Sequence, residues 1–127
     1  MINALTFDIE DYFHVQAFAD VIPPADWGQY PLRVEHNTYR LLELLERRRI
    51  HATFFILGWV AERCPSLVRD ISKAGHEIGS HGYSHQIIGR GDENTFRNDI
   101  KRAKSILEAG HALLRDAAEE ILVLGRW

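Results

Sequence analysis

Residues 52–57 read Ala-Thr-Phe-Phe-Ile-Leu, an apolar run without a single charge. A strand with one wet face alternates polar and apolar residues. An unbroken run is expected instead of a strand covered on both faces, as in a parallel sheet with helices on each side. The flanking segments agree. Over residues 34–48, Val34, Thr38, Leu41, Leu42 and Leu45 share one stripe and Glu43, Glu46 and Arg47 lie largely off it, which predicts an amphipathic helix. Residues 58–74 predict helix broken near Pro65, with Pro65 in the first turn of the second part and Gly75 as its stop. Residues 3–9 predict the first strand and 76–79 a short third one. Asp92 or Asn94 is placed to cap a helix through Phe96, Ile100, Ala103 and Leu107, and residues 120–124 suit a last strand. Strands alternating with helices mean an α/β architecture with parallel strands. Functional groups then belong at the strands' C-terminal ends.

Composition narrows the function. With 127 residues the chain is long enough for one domain with a modest core. A net charge of −3 recommends neither nucleic acid nor an anionic membrane as partner. The one basic run, Arg47-Arg48-Arg49, ends a predicted helix, where cations suit the dipole. The single cysteine, Cys64, excludes an intrachain disulfide. No apolar stretch approaches the ~20 residues of a membrane-spanning helix. The N-terminal residues lack a basic region and turn acidic by Asp8, so no signal peptide is expected and the cytoplasm is the default location.

Chemistry concentrates at two places. Gly79-Ser80-His81-Gly82-Tyr83-Ser84-His85 carries two histidines four residues apart in a turn-forming segment. A four-residue step on a helical turn places two side chains on one face, and neutral imidazole is the commonest side-chain metal ligand. The second place is Asp8-Ile9-Glu10-Asp11, at the end of the first strand. Strand alternation puts Asp8 and Glu10 on one face, away from Phe7 and Ile9. Two like charges so close raise one pKa unless a cation intervenes. A cation held by one carboxylate and by His81 and His85 removes the conflict and leaves the other carboxylate free to accept a proton from water. That set of groups suits hydrolysis of an amide or ester. No Ser sits in a Gly-x-Ser-x-Gly elbow and no Cys–His pairing is apparent, so covalent catalysis is not indicated. His14 and Tyr83 are the candidate substrate contacts, each with packing as its alternative; Trp27 and Trp59 read as packing residues. A phosphoacceptor receiver domain shares the length and the acidic first strand. It also needs an Asp ending its third strand, where this chain has Gly79-Ser80.

These residues resemble a known family. Leu5-Thr6-Phe7-Asp8-Ile9-Glu10-Asp11 is similar to the first motif of the polysaccharide deacetylases, the chitooligosaccharide-deacetylase homology family or carbohydrate esterase family 4. Ser80-His81-Gly82-Tyr83-Ser84-His85 resembles their second motif. Residues 52–58 look like the intervening strand, and residues 75–79 like the approach to the histidines. Asp11-Tyr12-Phe13-His14-Val15 is similar to a subgroup associated with exosortases and exopolysaccharide production. The resemblance covers residues 4–107. It implies a distorted (β/α) barrel, present here as a partial, truncated one with parallel strands. It also implies a divalent metal, usually Zn²⁺, and removal of acetyl groups from a polysaccharide such as an N-acetylhexosamine glycan. Carried over by position, Asp8 matches the general base and His81 and His85 the metal ligands. Glu10 is the third ligand if the strand stays regular, and Asp11 is the alternative if it bends.

The chain departs from the family toward its end. Residues 109–127 stop resembling the pattern, and neither the later Arg-Pro motif that orients the base nor the late acid histidine is found. A truncated product that binds metal and turns substrate over poorly is therefore expected, and a non-catalytic remnant is the alternative. Composition leaves the oligomeric state and the metal's identity open.

Overall fold

The computed structural model describes residues 3–87 and 91–112. Three strands, β1 (Thr6–Ile9), β2 (Thr53–Ile56) and β3 (Glu77–Ser80), form a parallel sheet in the order β1-β2-β3. The helices are α1 (Val34–Arg48), α2 (Gly58–Arg63), α3 (Pro65–Lys73) and α4 (Glu93–Ala112). Between β1 and α1 the chain makes three short 3₁₀ turns, Tyr12–His14, Gln16–Phe18 and Pro24–Gln29. The strand expected at 120–124 lies outside the described residues.

The breakers act where their chemistry requires. Pro65 opens α3, where its missing N–H is no loss. Gly75 follows α3 at φ +80°, a conformation that costs glycine little. α1 ends through Arg49 at φ +54°, whose N–H bonds back to the Glu46 carbonyl. Of the two candidate caps for α4, Asp92 does the capping: its Oδ1 accepts the Thr95 N–H at 2.8 Å.

One face of β2 is fully dry, with Phe54 and Ile56 at 0% exposure; the other carries Thr53 and Phe55 and is only half-buried. The expectation of two covered faces is thus met on one side. Leu57, Val60, Leu67, Val68, Ile71 and Leu107 complete the core beneath the dry face. Gly79 leaves room for the Phe55 ring on the neighbouring strand: a Cβ there would stand 2.5 Å from Phe55 Cδ1.

Register decides where the chemistry lies. Ile9 pairs with Ile56, and Ile56 with Ser80. The C-terminal ends of all three strands are therefore flush, and Glu10 and His81, each one residue past its strand, emerge at the same edge.

Candidate metal centre

Among the described residues, Glu10, His81 and His85 form one group whose ligand atoms all lie within 4.8 Å of one another. Glu10 Oε2 stands 3.0 Å from His85 Nε2 and 3.8 Å from His81 Nε2. Ligands on a tetrahedral Zn²⁺ with bonds of about 2.0–2.1 Å sit roughly 3.3 Å apart, so these separations straddle the required value. Glu10 Oε2 is also buried with no hydrogen-bond partner. A buried carboxylate oxygen without a donor is costly, and a cation between it and the two imidazoles satisfies all three at once. The donor set and its orphaned oxygen fit a divalent ion.

The electrostatics follow from placement. Burial pushes the Glu10 carboxyl up from its ordinary value; His85 and then His81 pull against that, and the Asp8 carboxylate adds to the rise. Asp8 itself is exposed on the strand face it shares with Glu10.

The histidine pair reaches this geometry by a route other than the one expected. Residues 81–85 are not a helical turn. The loop turns through Gly82 at φ +73° and His85 at φ +54°, which sets the two rings 5.0 Å apart. It is gripped from two sides. The first amides of α2 hold its carbonyls: Gly58 N–H donates to Gly82 O at 2.7 Å and Trp59 N–H to Tyr83 O at 3.2 Å. Asp99 of α4 holds its amides: Oδ2 accepts the Tyr83 N–H at 2.7 Å, and Oδ1 accepts the Ser84 N–H at 3.0 Å as well as the Ser84 hydroxyl. Asp99 was not singled out in the sequence. Its only signal there is an acidic residue on a helix after the histidines, and its role depends on how α4 docks.

Three other candidates are placed away from the cluster. Asp11, the alternative ligand, is 4% exposed, and its Oδ2 accepts the N–H groups of Arg33 and Val34 at 2.9 and 3.0 Å. Alternation turns it to the opposite side from Glu10, and there it caps the start of α1. Asp11→Ala strands two N–H donors, that of Val34 buried and that of Arg33 partly so, and is expected to cost about 2 kcal/mol in urea unfolding; an unchanged midpoint would contradict the capping role.

Tyr83, a candidate sugar contact, is half-buried and tied to two helices. Its hydroxyl donates to Glu62 Oε2 at 2.8 Å, and the Arg102 guanidinium lies 3.6 Å over its ring. His14 is 3% exposed and packed against Phe13, Trp27 and Trp59, while its Nδ1 accepts the Asp11 N–H at 2.8 Å. Burial foremost, helped by His85, holds its pKa down at about 4. His14 also lines a cavity that reaches His85.

Comparison with known proteins places the chain in a group. The polysaccharide deacetylase pattern matches residues 3–112. A peptidoglycan-N-acetylglucosamine deacetylase of Bacillus cereus is 39% identical over 67% of this chain, and a chitooligosaccharide deacetylase of Rhizobium leguminosarum bv. trifolii is 29% identical over 72% of it. The chain spans 32% and 42% of those two proteins' lengths. Among solved structures, the Bc1960 peptidoglycan N-acetylglucosamine deacetylase superposes with a TM-score of 0.64 at 32% identity, covering 84% of this chain and 40% of that one. A family 4 carbohydrate esterase from Streptomyces lividans shares the fold, with a TM-score of 0.62 at 23% identity over 84% of this chain and 44% of that one. The three-stranded parallel sheet and its helices are part of that (β/α) barrel. Matched over most of its length and folded in the same way, the chain belongs to the polysaccharide deacetylase family.

Proposed function

We propose that this chain carries the metal-binding half of a hydrolase that removes acetyl groups from a polysaccharide, with Glu10, His81 and His85 holding a divalent ion, Zn²⁺ foremost, and Asp8 acting as general base. The observation that carries the reading is the buried, unpartnered Glu10 Oε2 facing two imidazole nitrogens at 3.0 and 3.8 Å.

When bound, such an ion supplies Lewis acidity toward an acetyl carbonyl and makes water acidic enough to react near neutral pH. The chain's own residues do the rest. Glu10 and the two histidines fix the reacting centre at the flush edge of the sheet. Asp8 stands beside them on the same face, exposed and ready to take a proton from an attacking water. The substrate is a neutral acetylated glycan of the N-acetylhexosamine type, in keeping with the substrates named in the relatives' descriptions. The fold by itself does not decide activity, since a Bacillus anthracis protein described as a pseudoenzyme of the same family superposes at 21% identity with a TM-score of 0.63.

The test is equilibrium dialysis of chelator-stripped chain against Zn²⁺, followed by acetate release from tetra-N-acetylchitotetraose. One ion per chain is expected. Asp8→Asn is expected to keep that ion and to lower any acetate release by the loaded protein about 10²–10⁴-fold. A chain that takes up no zinc, or an Asp8→Asn protein as active as the parent, overturns the assignment.

Asp99 gives a second check on the same centre. Asp99→Ala frees the amides of Tyr83 and Ser84 and lets the histidine loop open. Zinc affinity is expected to fall about 10–100-fold, as for other partners that orient metal ligands. A fall of less than twofold in a competition titration would show that the loop holds its shape without Asp99.

A further inference from the structure

Gly58 opens α2 at the point where that helix meets both α4 and the histidine loop. A Cβ at this position would stand 2.9 Å from Tyr83 Cδ2 and 3.1 Å from both Cα and Cβ of Ala103. Carbon atoms in ordinary contact lie about 3.5–4.0 Å apart, so there is no room for even a methyl group. Nothing in the backbone asks for glycine here, because the positive φ angles belong to Gly75 and Gly82 among the glycines. What the position demands is space. Ala103, on the far side of the contact, is 0% exposed and sits on α4 without freedom of its own.

The group pressed against Gly58 is the Tyr83 ring, and Tyr83 stands midway between His81 and His85 in the chain. The ring is held elsewhere too. The Arg102 guanidinium covers it at 3.6 Å, and its hydroxyl donates to Glu62 Oε2 at 2.8 Å. Arg102 reaches the same carboxylate at 3.2 Å. On α4, Asp99, Arg102 and Ala103 follow at steps of three and four residues and so share one face. The first grips the loop's amides, the second covers the Tyr83 ring and the third rests against Gly58.

We infer that Gly58 and Tyr83 are positioning residues for the metal centre: the Tyr83 ring, wedged between Gly58 and Arg102, sets how the histidine loop stands on α2 and so fixes the spacing of the His81 and His85 rings. Its bearing on the reaction rests on the metal centre proposed above. A methyl group on Gly58 leaves two ways out. The ring swings away, or α4 backs off and carries Asp99 with it. Both move the loop. Bonds to a metal must fall within about 0.2 Å of their ideal lengths, and a contact at 2.9 Å has to open by more than that. A close-packed interior transmits such a displacement instead of absorbing it. The Glu62–Arg102 pair is exposed, and exposed pairs hold little by themselves. The wedge therefore depends on the ring more than on its hydroxyl.

Three measurements on Gly58→Ala, Tyr83→Leu and Tyr83→Phe test the wedge: zinc affinity by competition titration, the visible spectrum of the Co²⁺-loaded chain, and urea unfolding of the zinc-free chain. Gly58→Ala and Tyr83→Leu are each expected to weaken zinc binding about 10–100-fold, the range for groups that orient metal ligands, and to alter the Co²⁺ spectrum. Tyr83→Phe keeps the ring, and is expected to stay within about fivefold of the parent and to keep its spectrum. A contact that serves only the fold would lower the urea midpoint and leave affinity and spectrum alone. Parent-like affinity and spectrum in either Gly58→Ala or Tyr83→Leu overturns the wedge. So does a Tyr83→Phe chain that loses as much affinity as Tyr83→Leu, because the hydroxyl then holds the loop. If Gly58→Ala fails to fold, Tyr83→Leu decides. If the parent takes up no zinc, the metal centre falls by itself, and zinc-free crystals of Tyr83→Leu still decide the wedge. Rings of His81 and His85 that remain 5.0 Å apart overturn it, and a changed separation upholds it.

Discussion

Alanine at His85 is expected to abolish stoichiometric zinc binding. His85 Nε2 makes the shortest approach to Glu10 in the cluster, 3.0 Å. Its removal leaves one imidazole and one carboxylate, too few for the three-ligand set of a catalytic zinc site. Even partners that merely orient a ligand cost about 10–100-fold in affinity, so loss of the ligand itself should exceed about 100-fold. His81→Ala should behave alike. His36→Ala is the control, because His36 is an exposed residue of α1. Metal analysis after dialysis reads all three. One zinc per chain in both His81→Ala and His85→Ala would remove the centre from this account.

Acid is expected to destabilise the folded chain through His14. In the unfolded chain this imidazole takes a proton near pH 6.5, whereas the folded one stays neutral down to about 4. Above 6.5 both states hold the neutral ring, and its contribution is fully present. Between 6.5 and 4 the unfolded chain binds a proton that the folded chain refuses, so stability falls as pH drops through that window. The difference corresponds to on the order of 3 kcal/mol. The cause is largely desolvation among Phe13, Trp27 and Trp59. His14→Asn removes the titrating ring and keeps an acceptor for Asp11. Urea unfolding at several pH values should show the parent losing that much more stability than His14→Asn between pH 7 and pH 4. Superimposable profiles would mean that His14 protonates in place without penalty.

Much of this architecture is legible in local patterns, because local patterns govern it. The apolar run at 52–57, the stripe from Val34 to Leu45, and Pro65 with Gly75 at helix limits each follow from periodicity or backbone chemistry. Flush strand ends then bring Glu10 to His81 with no further information. What escaped were features set by contacts between distant segments. The helical step that would pair His81 with His85 is absent; a loop with two positive φ angles pairs them, and that loop exists because α2 and Asp99 hold it. Asp11 reads as a second metal candidate until α1 is seen to start on its carboxylate, twenty-two residues from Arg33. Tyr83 reads as a sugar contact or a packing residue, and nothing local shows that Glu62 and Arg102, on two other helices, engage its hydroxyl and its face.

The double grip on residues 82–84 also has an energetic consequence. Restricting a flexible segment costs about 1–2 kcal/mol per residue in backbone entropy. Here the docking of two helices meets that cost when the chain folds, so an ion arriving at the proposed centre would find its imidazoles already aimed and need order nothing. Affinity and the docking of α4 are therefore coupled: loosening α4 surrenders preorganisation, and an ion in place should resist that loosening and raise the temperature at which the helix lets go.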